Sequence, residues 1–347
     1  MLKHGEFVAP EVALANDKGP SPENRDALNG VLERFSTRKR ASDQPSALGN
    51  VAAVYRDAVQ FMEASGSAQM RGLGLMAVLA YVGIVGITVP MMIRKNIEYI
   101  RDGMFGVSDA IFAGFGFFFL FVVARPWFVA AWRLDAFAAD DQPTIFDRKH
   151  RKVYRLFTPL DGSHKAWAKR FKPIELQAVE YDWDCITAEH RAEMVTTGKT
   201  VTRIHRLTMV ARDHPKAGEK YGRLLEEFNV GNSMALGPNT VPMLWEQIRR
   251  FMEEGGSGVP HGEPLQVFER PTNLWQSMGV VGPFGPRFAW WWKTSPWMTG
   301  MFIFMLPFSL PFNWLWGTCN WISHMTMRKT VWPAEIHERV GQPVRIA

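Results

Sequence analysis

Cysteine is nearly missing from this chain, with Cys185 and Cys319 the only two in 347 residues. They stand far apart in very different surroundings, so neither a disulfide framework nor a paired-cysteine zinc cage is available. A reducing cytoplasm is compatible with Cys185. The HExxH and GxSxG motifs are also missing, which excludes the commonest zinc-peptidase and serine-hydrolase layouts. Gly198, Lys199 and Thr200 spell the end of a phosphate-binding loop, but Glu193 stands where that loop requires its first glycine. The nine histidines are scattered. No enzymatic role, cofactor or metal is expected. The formal charge is +6, yet acidic and basic residues interleave, so nucleic acid is not an expected partner. Met1–Pro20 lacks the charged-then-apolar layout of a signal peptide, and membrane insertion is therefore expected from an internal segment.

What the chain does have is three nearly charge-free blocks rich in Phe, Trp, Met, Gly and Leu. Leu73 to Ile93 is uncharged, and at 1.5 Å per residue it matches a hydrocarbon core of about 30 Å. Ala110 to Ala124 begins a second block that continues past Arg125 and Pro126 to Trp132. Arg125 is expected at the interface, snorkelling, with Trp127 and Trp132 in the aromatic belt and Pro126 as a kink or helix end. A functional charge inside the membrane is the alternative. Between the blocks lies a short loop, Arg94 to Asp109, so the pair reads as an antiparallel hairpin. The loop carries Arg94, Lys95 and Arg101, whereas the flanks carry many more basic residues, which favours cytoplasmic flanks. Ala110 and Gly114 form one small-xxx-small pair, which leaves homo-oligomerisation open. The third block, Met298 to Gly317, contains Pro307 and Pro311 and reads either as a kinked span or as a re-entrant or shallow hairpin. Trp290, Trp291, Trp292, Trp297, Trp314, Trp316 and Trp321 bracket it as interface anchors.

In the polar first seventy residues, Leu28, Val31, Leu32 and Phe35 recur at helical spacing, as do Val51, Val54, Tyr55, Ala58, Val59 and Met62. Both stretches are expected as amphipathic helices. After the membrane hairpin the period changes. TIFDRKHRKVYRLF reads as a β-hairpin turning at Arg148 to Lys152, followed by strands over 178–186, 193–197 and 203–211. The type of 220–228 stays open, and Val241 to Glu254 is a helix ended by Gly255 and Gly256. The expected fold class is thus membrane α+β: a transmembrane hairpin over 71–133 and a soluble α+β domain over 134–256. A linker over 257–296 and a Trp-rich segment with tail over 297–347 complete it. Several strands closed by one helix resemble a pleckstrin-homology-like barrel over about 143–256. Arg148, Lys149, Arg151 and Lys152 at the turn, with Lys165, Lys169, Arg170 and Lys172 beyond it, are candidates to meet anionic lipid. With Arg125, Trp127, Trp291 and Trp316 they make up the expected contacts to membrane lipid or to a protein partner.

FDRKHRKVYRLF, the downstream VEYDW, the terminal TVWPAEI and the hairpin ahead of them resemble a bacterial family of unknown function, DUF6708, over most of residues 70–340. Members of that family look to be encoded beside type VI secretion effectors, some of them pore-forming. The resemblance implies a multi-pass inner-membrane immunity or accessory protein with a cognate effector as its partner, and it carries no catalytic residue with it.

Overall fold

The computed structural model describes residues 20–62, 71–158, 165–196, 201–214, 221–232, 236–266 and 270–344. Gly198–Thr200, the start of the 220–228 stretch and Arg345 lie outside the described residues. Two antiparallel sheets form one unit. One contains β1 (Gly30–Phe35), β7 (Ile186–Thr196), β8 (Val201–Arg212) and β9 (Leu224–Val230) in the order β1-β7-β8-β9. The other contains β2 (Val51–Val54), β3 (Ala58–Phe61), β4 (Thr144–Asp147), β5 (Lys152–Phe157) and β6 (Gln177–Asp182) in chain order. Neither sheet closes among the described residues, so the structure contains two open sheets and not a demonstrated barrel.

The two amphipathic helices expected before the membrane hairpin are instead strands β1, β2 and β3. A register shift between Val31 and Glu33, where β1 pairs with β7, breaks strict alternation and buries Val31, Leu32 and Phe35 together. The result has the spacing of a helical face. In the β2–β3 hairpin, Val51, Val59 and Phe61 face the core between the sheets, while Tyr55 and Ala58 face a second core, which again scatters apolar residues over both parities. Because β1 pairs with β7 and β3 with β4, the sheet unit is assembled from stretches on both sides of the helical hairpin.

The main core lies between the sheets and under helix α4 (Thr240–Glu254). Trp183 stacks on Trp245 with ring centres 5.7 Å apart, and its Nε1 donates to Glu253 at 2.6 Å. Gly255 ends α4 with φ 68°, the left-handed cap that glycine adopts without strain. The outer face of β4 and β5 is covered by helix α9 (Ala334–Val340), where Trp332, Ile336 and Val340 pack on Tyr55, Ile145, Tyr154 and Leu156. Both faces of β4 and β5 are therefore buried, which explains their nearly continuous apolar character.

Helix α1 runs from Leu73 to Arg101, 29 residues, or about 43 Å. It takes in Arg94, Lys95 and Arg101, so the loop expected over 94–109 shrinks to the stretch 102–106. The return leg comprises α2 (Val107–Phe118), a π-helical segment (Phe119–Ala124) and α3 (Arg125–Ala136). Pro126 does not end the helix. The wider π turn just before it absorbs the missing backbone donor and the ring's clash with the preceding turn. Leu73–Arg101 and Val107–Ala136 are both long and apolar enough to cross a membrane. Tyr81 ties the legs together, donating to the Leu120 carbonyl at 2.6 Å and stacking on Phe128 at 4.0 Å.

Residues expected as a linker carry α5 (Leu274–Val281) and α6 (Phe288–Thr294), which precede α7 (Pro296–Phe304) and α8 (Leu306–Thr326). The α7–α8 pair bends by 108° at Met305.

Candidate functional site at the membrane interface

Asp140 receives both ends of the α5–α8 block. Arg270, just before α5, pairs with its Oδ2 at 2.7 Å, and Thr330, just after α8, donates its backbone N–H to Oδ1 at 2.7 Å. The backbone of Asp140 also donates to the Arg328 carbonyl at 3.0 Å, and α9 beyond it is packed on the sheet. The two ends of the block therefore meet in space at one carboxylate, while the 108° bend fits either a broken span or a re-entrant loop.

A buried polar junction holds α8 against the base of the hairpin. Asp135, on α3, accepts the backbone N–H groups of Gly72 (3.0 Å) and Leu75 (3.1 Å) and the Ser323 hydroxyl (2.5 Å). One side chain thus caps the first turn of α1, places negative charge at its positive end and grips α8. The Arg71 carbonyl accepts from Trp316 Nε1 (3.2 Å) and Asn320 Nδ2 (3.0 Å). Gly72 has φ 90°, and a Cβ there would lie 2.4 Å from the Asn320 nitrogen, so only glycine fits. Farther along α8, Asn313 donates to the Met278 carbonyl at 3.2 Å and holds α5.

With its polar groups turned inward, the α7–α8 pair turns large side chains outward: Trp297 is 87%, Phe304 83% and Phe308 73% exposed. Trp290, Trp292 and Trp314 are exposed as well. Trp291, an expected contact residue, is buried and donates to the Gly279 carbonyl at 3.0 Å; Trp316 is half-buried in the junction just described. Both tryptophans are framework residues of this unit.

The basic turn between β4 and β5 is largely ion-paired within the sheet unit. Arg148 pairs with Asp57 at 3.1 Å and lies over the Phe251 ring, Arg151 pairs with Asp184 (2.5 Å) and Glu253 (3.2 Å), and Lys152 with Asp182 (2.7 Å) and Glu180 (2.9 Å). These cations are committed to the sheet unit's own carboxylates, and only Lys149 is left exposed without such a pair among the described residues. The second basic stretch behaves differently. Lys165, Trp167 and Arg170 come to rest along α3, where the Arg125 guanidinium stacks over Trp167 at 4.2 Å and Lys165 Nζ sits 3.8 Å over the Trp127 ring.

Two further polar groups have chemical potential. His190 Nε2 and His205 Nδ1 are buried 2.9 Å apart on paired strands β7 and β8. Burial first, then the His205 and Arg203 charges, push His190 down to about 4, so both rings are held neutral near pH 7. Asp182, Cys185 and His214 bring donor atoms within 4.8 Å of one another. Asp182 is already paired with Lys152 at 2.7 Å.

The polar junction is not among the features the sequence pattern pointed to. Its signals in the sequence, Asp135, Asn313, Asn320 and Ser323 amid apolar helix, are the polar residues that close packing of helices requires. A family model described as a family of unknown function, DUF6708, matches residues 121–342, more than half of the chain. No curated protein and no solved structure matches the chain.

Proposed function

The chain belongs to the DUF6708 family, and on that footing we propose that it is an inner-membrane immunity protein that neutralises a membrane-acting type VI secretion effector by binding it directly. The observation that carries this reading is the bent α7–α8 pair, an aromatic surface held rigidly to a two-helix anchor. Lipid tails are contacted equally well by Leu or Ile. Rigid aromatic side chains on a latched framework are the residues that dominate protein interfaces. In this reading the sheet unit faces the cytoplasm, as the basic flanks of the hairpin favour, and its two sheets with α4 at one side serve as a pleckstrin-homology-like body.

Co-expression with the effector encoded beside the gene tests the proposal. Survival is expected with the intact chain, and lost survival with Trp297→Ala, Phe304→Ala and Phe308→Ala combined in a protein that still reaches the membrane. Equal killing with and without the intact gene overturns it. A second reading, a membrane-anchored accessory factor that docks a cytoplasmic partner, is favoured by the open edge of β9, which offers backbone groups for an added strand. Recovery of secretion-machinery components and not the effector, on affinity purification from membranes, would select it.

A further inference from the structure

We propose that α3 and the 165–172 stretch together form a binding site for the phosphate of an anionic phospholipid, in the leaflet next to the sheet unit. The stretch is pinned to α3 at both ends. At one end Arg133, itself buried, donates to the Lys172 carbonyl at 3.1 Å, and Phe171 meets Trp132 edge-on at 6.4 Å. At the other, Lys165 lies over Trp127 and Arg125 over Trp167. Arg170 covers the same Trp167 ring at 4.3 Å, so two guanidiniums from separate segments are held by one indole.

The charge balance calls for such an anion. Among the described residues no carboxylate pairs with Arg125, Lys165, Lys169, Arg170 or Lys172, although Arg148, Arg151 and Lys152 on the sheet unit are each paired. Within 159–175 the sequence offers only Asp161 and Glu175 against four cations, with Arg125 added from α3. Guanidinium forks are suited to phosphate, and stacking on an indole orients them without neutralising them.

The surroundings specify a membrane source. Arg125 stands at the end of the apolar run Ala110–Ala124, the depth at which a snorkelling cation reaches headgroups. Trp127, Trp167 and Phe171 remain 62%, 46% and 67% exposed beside the cations, and that mixture of wet charge and bare aromatic surface suits the headgroup layer. A free phosphate would use the cations and leave the rings in water. A phospholipid covers both. This inference does not depend on the immunity reading, since it requires only the membrane hairpin.

The test is titration of the full-length protein, purified in uncharged detergent, with short-chain phosphatidylglycerol, short-chain phosphatidylcholine and inorganic phosphate, read by native mass spectrometry. Phosphatidylglycerol is expected to bind in preference to the other two. Each cation removed should weaken it by about fivefold, so Arg125→Gln with Arg170→Gln loses about 25-fold. Arg25→Gln, on the exposed stretch before β1 where Arg25 pairs with Glu33, should leave binding unchanged. If the double variant melts early, Arg125→Lys with Arg170→Lys, which keeps the charges, and Lys165→Gln alone carry the comparison. The lysine pair is expected to retain most of the affinity, and Lys165→Gln to lose about fivefold. Unchanged phosphatidylglycerol affinity in the glutamine variants, or equal binding of phosphatidylcholine, overturns the site. Inorganic phosphate binding as tightly as phosphatidylglycerol overturns its assignment to lipid.

Discussion

The sheet unit and the helical unit of this protein are built inside out with respect to each other. In the sheet unit Trp183, Trp245, Phe146 and Leu207 are fully buried, and most charges sit outside in pairs. In the helical unit the large apolar side chains are exposed, and the fully buried residues of α7 and α8 include Thr299, Asn313, Asn320 and Ser323. Water drives the first arrangement. Between helices whose alternative solvent is lipid no hydrophobic drive remains, so close backbone approach and polar contacts must hold α8 to α1 and α3. The comparison teaches that stability in the two units rests on different residues and should fail under different perturbations.

The strongest break is expected at Glu246 in α4, fully buried beside Arg249 (2.8 Å) and Arg250 (2.7 Å) and accepting the Ala41 N–H at 3.0 Å. Burial raises its pKa, but the bonds from Arg249, Ala41 and Arg250 outweigh burial and hold it at about 2. Glu246→Ala leaves the Arg249 charge buried without that partner and should cost about 3–5 kcal/mol, measured by urea unfolding of the detergent-solubilised protein. The helical unit should be untouched in that experiment, as read by protease resistance of α7–α8.

The converse break is at the junction. Asp135→Ala orphans the backbone donors of Gly72 and Leu75, leaves the Ser323 hydroxyl only its bond to the residue-135 carbonyl, and should cost about 2 kcal/mol. Gly72→Ala adds the clash with Asn320. Both are expected to release α8 to protease while the urea midpoint of the sheet unit holds, and a shift of both readouts together would collapse the distinction between the units.

An effect of similar size to the junction break should come from pH. His190 has a folded pKa near 4, below its ordinary 6.5, so between these values the unfolded chain binds a proton that the native sheet refuses. Stability is therefore full above pH 6.5 and falls as the pH drops toward 4, by up to about 1.4 kcal/mol per unit. Glu246 acts in a lower window, its contribution fading only as the pH falls from 4.5 toward 2. Thermal melts from pH 7.5 to 5 of the wild type and His190→Phe should therefore diverge, with the variant flatter.

Local pattern was enough for several elements. The uncharged runs marked both membrane helices, the 3.6-residue period and Gly255 marked α4, and the change of period at TIFDRKHRKVYRLF marked the β4–β5 hairpin. Each of these depends on neighbours within a few turns of chain. What stayed hidden depends on partners far away. Strand β1 exists because β7 pairs with it from across the whole membrane hairpin, and its bulge imitated a helical face. The partners of the basic turn, Asp57, Asp184 and Glu253, come from distant parts of the chain. The meeting of Arg270 and Thr330 at Asp140, which ties together the two ends of the Pro-broken block, likewise joins residues far apart in the chain. Hydrophobic length and period are properties of a segment and are written along it, whereas register, charge neutralisation and the side on which a helix ends are set only when distant segments compete for the same hydrogen-bonding groups.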